Sequence, residues 1–318
     1  MTTLLARAGA FSLALALAAC GAPRQAPPDA AADKAFKVVT TFLPITLLTR
    51  AVVGDCATVT ALIPPSLGPH DFQAKPGDLT ALRQAGVLVK NGLEMEGFLG
   101  KLVAAAENPQ LVVIDSSRGV ATLESAEHGD GPGHDGDHDH GHDHGVVNPH
   151  IWLDPLRAVQ QVATIRDGLI QADPSCADGY QRNAAAFTAQ LKQLNSEIAS
   201  QLEPYRGKTF VAFHDFAPYF AQRYGLKADY LVDVPELNPS PADLQRVAAE
   251  VKSSQLKALL SEPQEGNRSF NTLAKDLGVK VVVFDPMETA TEEASRDPAT
   301  YVSVMRRNVA DLRQAFGQ

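Results

Sequence analysis

"DPSCADGYQRNAAAFTAQLKQLNSEIASQLEP", residues 173–204, decides the architecture. Beyond Asp173-Pro174, the apolar residues Phe187, Leu191, Leu194, Ile198 and Leu202 recur in three- and four-residue steps, with Tyr180 ahead of them. That is the stripe of one amphipathic helix. Roughly thirty helical residues at about 1.5 Å each span ~45 Å, longer than a small domain is wide. A helix is a stiff linker, unlike a coil. The stretch therefore reads as a rigid connection between two bodies.

Each flank alternates strand and helix. On the N-terminal side, "KVVTTF" (37–42), "TVTALI" (58–63), "VLVK" (87–90) and "LVVID" (111–115) read as buried strands, with helices starting near Pro44, Pro76 and Glu94. A further helix follows Asp154-Pro155 and runs to about Ala172. On the C-terminal side, strands fall at 209–213, 228–232, 258–261 and 280–284, and helices near 216–224, 241–254, 267–277 and 298–316. Such alternation implies a parallel-type sheet flanked by helices in each flank. The expected fold class is α/β. An N-terminal lobe (36–172, including a mobile His/Asp-rich loop at 116–149) and a C-terminal lobe (205–318) are joined by one long rigid helix (173–204). No internal sequence repeat is evident.

The chain has 318 residues, 45% of them hydrophobic, and a formal net charge of −9. An acidic balance argues against nucleic acid as a partner and is compatible with a cationic ligand. Residues 1–19 read as a signal peptide: Arg7, then an apolar run too short to span a bilayer. Leu17-Ala18-Ala19-Cys20 resembles a bacterial lipobox, which implies cleavage before Cys20 and lipid on its thiol. Residues 20–35, rich in Pro and Ala, read as a tether. The expected location is periplasmic, or on the outer face of the cytoplasmic membrane, with a lipid anchor. That compartment permits a Cys56–Cys176 disulfide, but spacing alone leaves open whether the two meet.

Nine histidines are present, and six of them lie within 128–144: His128, His134, His138, His140, His142 and His144. The rest of that segment is Asp, Gly and one Pro, so it has nothing to bury. It reads as a solvated loop that binds borderline metals loosely, or as a low-complexity tract without a role. A tight site needs ligands held in place before the ion arrives. The remaining candidates are His70 in "PPSLGPHDF", His150 in "NPHIWLDP" and His214 directly after the 209–213 strand. Asp285, directly after the 280–284 strand, joins them. Ligands of doubly wound sheets bind beyond the carboxyl ends of the strands, where most of these residues fall.

The motifs "PHDF" (69–72), "NGLEMEGFL" (91–99), "NPHIWLDP" (148–155), "FHDFAPYF" (213–220), "NPSPADLQ" (238–245), "SEPQ" (261–264) and "FDP" (284–286) occur in an order that resembles one family. It is the zinc-uptake branch of the metal-binding lipoproteins of bacterial ABC importers, and the resemblance covers about residues 36–316. It implies two α/β lobes bridged by a long helix, with a metal between them. It further implies His70, His150 and His214 as ligands and Asp285 as the fourth, a position that water or another carboxylate takes in some members. The transported ligand is then Zn2+, and the partners are a membrane permease and its cytoplasmic ATPase. The protein is expected to act as a monomer and not as an enzyme.

Three imidazoles with one carboxylate suit tetrahedral zinc, whereas manganese prefers more oxygen. The manganese branch has a carboxylate where His214 stands. The rival readings are a manganese-binding or other divalent-metal-binding relative, a zinc metallohydrolase (though no HExxH motif is present) and a surface metal buffer centred on the loop. Glu262 could support a ligand from behind or cap the turn after it, and the latter is expected. Asp71 and Asp215 are expected to orient the neighbouring imidazoles or to cap turns, and Trp152 and Phe72 to pack.

Overall fold

The apolar runs build two four-stranded parallel sheets. In the first, β1 (Phe36–Thr40), β2 (Ala57–Ala61), β3 (Val87–Lys90) and β4 (Val112–Asp115) lie in the order β2-β1-β3-β4. In the second, β5 (Thr209–His214), β6 (Lys227–Val232), β7 (Ala258–Ser261) and β8 (Lys280–Val283) lie in the order β6-β5-β7-β8. This computed structural model describes residues 36–125, 147–235, 237–263 and 268–317. The expected signal peptide, lipidation site Cys20 and tether, and the six histidines of 128–144, lie outside the described residues.

The two sheets share one topology although their sequences show no repeat. In each, the chain steps to one side and then crosses to the other, with Val38 opposite Val87 in the first sheet and Ala212 opposite Leu260 in the second. The crossing opens a crevice beyond the strand ends at β1/β3 and again at β5/β7. The outermost runs are less buried than their composition suggests. Val112 and Val113 are 40% and 43% exposed because β4 is an edge strand with one neighbour.

The helices are α1 (Leu43–Val53), α2 (Pro76–Gln84), α3 (Leu99–Ala106), α4 (Pro155–Ala172), α5 (Ala177–Leu202), α6 (Pro218–Tyr224), α7 (Pro241–Ser253), α8 (Arg268–Asp276), α9 (Glu292–Arg296) and α10 (Ala299–Ala315). Proline stands in the first turn of α1, α2, α4, α6 and α7, where its missing N–H costs no hydrogen bond. The helix expected near Glu94 starts only at Leu99. Leu93 and Glu94 have φ of 56° and 63°, which breaks a right-handed helix. The buried Glu96 carboxylate holds this turn, accepting from Asn91 N (2.7 Å), Gly92 N (3.1 Å) and the Thr41 hydroxyl (2.7 Å).

The long helix is one element of 26 residues, extended at both ends by 3-10 turns, Pro174–Cys176 and Glu203–Tyr205. It is no free strut. Tyr180, Phe187, Leu191, Leu194, Ile198 and Leu202 are buried, and the helix packs on α1 and α4 before the junction and on α10 after it. A single core thus contains Ile45, Leu191, Phe220, Phe284 and Met305, and residues Phe36–Gln318 form one compact unit. Asp154, fully buried, caps α4 by accepting from Leu156 N (2.9 Å) and pairs with Arg157 and, on α6, with Arg223 (2.7 Å). Cys56 and Cys176 are bridged, with Cα atoms 6.0 Å apart, pinning the start of α5 beside the start of β2. Gly179 is needed there, since a Cβ would stand 2.5 Å from the Cys56 sulfur. None of the described helices is long and apolar enough to cross a membrane.

Candidate metal centre

Four side chains from four separate segments converge between the sheets. His70 lies in the loop after β2, and His150 in the segment leading into α4. His214 is the last residue of β5, and Glu288 follows β8 in an irregular turn. They are 8%, 0%, 0% and 1% exposed. Glu288 Oε1 lies 3.3 Å from His150 Nε2, 3.6 Å from His70 Nε2 and 3.7 Å from His214 Nε2. His214 Nε2 and His150 Nε2 are 3.3 Å apart, and the donor atoms of all four residues lie within 4.8 Å of one another. A tetrahedral zinc with bonds of about 2.0–2.1 Å has ligand–ligand edges of ~3.3–3.4 Å. Four of the six donor–donor edges, at 3.3–3.7 Å, thus lie close to that spacing, and the other two are no longer than 4.8 Å.

The electrostatics suit a cation. Burial pulls the His150 imidazole down to about 4, so it is neutral at physiological pH. Burial also disfavours charge on His214, but Glu262 and Glu288 overcome it and raise this imidazole well above its ordinary value. Burial alone would raise the Glu288 carboxyl, whereas His214 and His70 hold it well below the usual range and keep it ionised. The outward-facing ring nitrogens are engaged as well. His214 Nδ1 meets Glu262 Oε1 at 2.5 Å, and His150 Nδ1 meets Asn148 Oδ1 at 3.1 Å. Such partners orient an imidazole and raise its basicity toward metal. Trp152 packs 5.0 Å from the His150 ring and donates its indole N–H to Pro286 O at 2.8 Å, two residues before Glu288.

The family described as zinc-uptake complex component A, periplasmic (ZnuA), matches residues 38–315. The chain belongs to the ZnuA family. The zinc-binding lipoprotein AdcA of Streptococcus pneumoniae is 32% identical over 306 residues, which is 96% of this chain and 59% of AdcA. The chain thus spans about three-fifths of the length of that relative. The high-affinity zinc uptake system protein ZnuA of Bacillus subtilis is 29% identical over 95% of this chain and 94% of its own length. Among solved structures, the Zn(II)-bound ZnuA-like domain of S. pneumoniae AdcA aligns with a TM-score of 0.73 at 30% identity, over 89% of this chain and 100% of that one. A zinc-bound deletion mutant of ZnuA aligns with a TM-score of 0.74 at 30% identity, over 89% of this chain and 98% of its own.

Within this ZnuA-family fold, the three histidines expected from the sequence meet at one point, whereas Asp285 stands outside the group. Its Oδ1 accepts from Met287 N (2.8 Å), and its Oδ2 faces Arg307 at 3.5 Å. Its backbone N–H and C=O are both bonded by Asn308. Asp285 thus fastens the turn, and Met287, at φ 63°, directs the chain so that Glu288 faces the imidazoles. Glu262, expected to cap a turn, accepts from His214 N and Nδ1 instead. Asp215 accepts from the Asn148 amide, and burial pushes its carboxyl up to about 7. Asp71 is exposed, and Phe72 packs against Phe98 at 4.8 Å. Asn148 and Glu288 were not singled out from sequence. Asn148 lies inside the quoted "NPHIWLDP", two residues before His150, and that proximity is the signal that points to it.

Proposed function

We propose that this ZnuA-family chain captures Zn2+ between its lobes and delivers it to the membrane permease of an ABC importer, which is driven by a cytoplasmic ATPase. The ion is the cargo, held by Nε2 of His70, His150 and His214 and by a carboxylate oxygen of Glu288. The observation that carries this reading is the buried set of three imidazole nitrogens around one carboxylate oxygen at 3.3–3.7 Å. Nitrogen-rich tetrahedral donors favour zinc over manganese. Four protein groups leave no corner for the water that a hydrolytic zinc keeps, which weighs against a metallohydrolase. The expected lipid on Cys20 would hold the exported, monomeric protein at the membrane.

Elemental analysis of the exported protein combined with chelator-competition titration tests the proposal. One tightly held zinc per chain is expected. Alanine at position 70, 150 or 214 is expected to weaken it more than about 100-fold, beyond the 10–100-fold typical of an outer-sphere change. Unchanged affinity in any of these variants removes that residue from the site, and a preference for manganese in competition overturns the assignment of the cargo.

A further inference from the structure

Asn148 is fully buried at the junction of the lobes, and all of its polar groups are engaged. Its backbone N–H donates to Leu123 O (3.0 Å), and its backbone carbonyl accepts from the Tyr219 hydroxyl (2.7 Å). Its side-chain amide can be oriented without ambiguity. One end faces the His150 backbone N–H at 3.1 Å, a group that only donates, so that end is oxygen. The other end faces the Asp215 backbone carbonyl at 2.7 Å and the Asp215 carboxylate at 3.0 Å, which calls for the NH2. The same oxygen that meets the His150 backbone also meets His150 Nδ1 at 3.1 Å. A carbonyl oxygen cannot donate, so Nδ1 must carry the proton and Nε2 its lone pair. Nε2 is the atom that faces Glu288 and His214.

We propose that Asn148 is a positioning residue that sets the tautomer of His150, and that it is itself set from across the cleft by Asp215, the residue after His214. The second lobe thereby dictates whether the first lobe's imidazole presents a lone pair to the metal. The two contacts from Asn148 to Asp215 break if the lobes part along this seam, so loss of the lock would accompany release of the ion. The tautomer that binds metal through one ring nitrogen is fixed by the hydrogen bond at the other.

This inference rests on the metal-site reading above, but its test uses zinc-free protein. Nitrogen-15 correlation spectra of the histidine rings would be recorded for the intact exported chain at neutral pH, with His150 assigned by its disappearance in His150→Gln. The wild type is expected to show His150 with its proton on Nδ1. Asn148→Asp, which keeps an oxygen at Nδ1, should retain that form. Asn148→Ala should shift it toward Nε2–H and weaken zinc binding about 10–100-fold. A wild-type His150 protonated on Nε2 overturns the proposal even if neither Asn148 variant folds. So does an Asn148→Ala spectrum and zinc affinity that match wild type. Absence of zinc binding by the wild type would instead bring down the cargo assignment while leaving the tautomer result to stand.

Discussion

Asp285 and Glu288 are both buried acids of one turn, yet they have separate jobs. Glu288→Ala should cost more than about 100-fold in zinc affinity, above the outer-sphere range. Asp285→Asn, which still offers an oxygen to Met287 N, should stay near wild type in the same chelator titration. The reverse order would return Asp285 to the ligand set. Glu262→Gln should weaken zinc about 10–100-fold by lowering the basicity of His214. His214 is raised well above its ordinary value, so in the zinc-free protein it carries a proton at neutral pH. Under the proposed ligation zinc must expel that proton, and affinity should fall steadily as pH is lowered from 8 to 5. Calorimetry at pH 7 in buffers of different ionisation enthalpy should show about one proton released per zinc, and no release would contradict direct ligation by His214. The histidines were legible in the sequence because they punctuate apolar runs in a chain with few others outside the loop. Glu288 was not: it is one of 37 acidic residues, and its direction depends on a left-handed Met287 that no periodicity announces.

Among the elements, α5 was the most legible, because its stripe repeats over several turns and proline marks both flanks. Its partners were not. That it shares a core with α1 and α10, and so fuses the lobes, follows from long-range packing that a helical period does not encode. The bridge at its start closes a 120-residue separation. Replacing Cys56 and Cys176 together with alanine should cost about 2–5 kcal/mol in chemical unfolding. Zinc affinity should hardly change, because the bridge lies at the start of β2 and His70 beyond its end. An equal loss of affinity would mean that the bridge also shapes the site. The α3 boundary slipped for a local reason: the Glu96 carboxylate rewards a turn at 91–94 over continuation of a helix.

For the whole molecule, the shared core and the tie from the buried Asp154 to Arg223 leave little room for wide opening. Solution scattering with and without zinc should therefore show no large compaction, and a large one would point to lobes that hinge freely. Deleting residues 128–144 should leave one tight zinc per chain by calorimetry, and loss of the tight phase would move the function into that segment. The sole tryptophan, Trp152, touches His150 with its ring and the Glu288 turn through Pro286. The protein thus carries its own optical gauge: filling the cage should alter the intrinsic emission. Loading and unloading can then be timed by stopped flow on unlabelled protein.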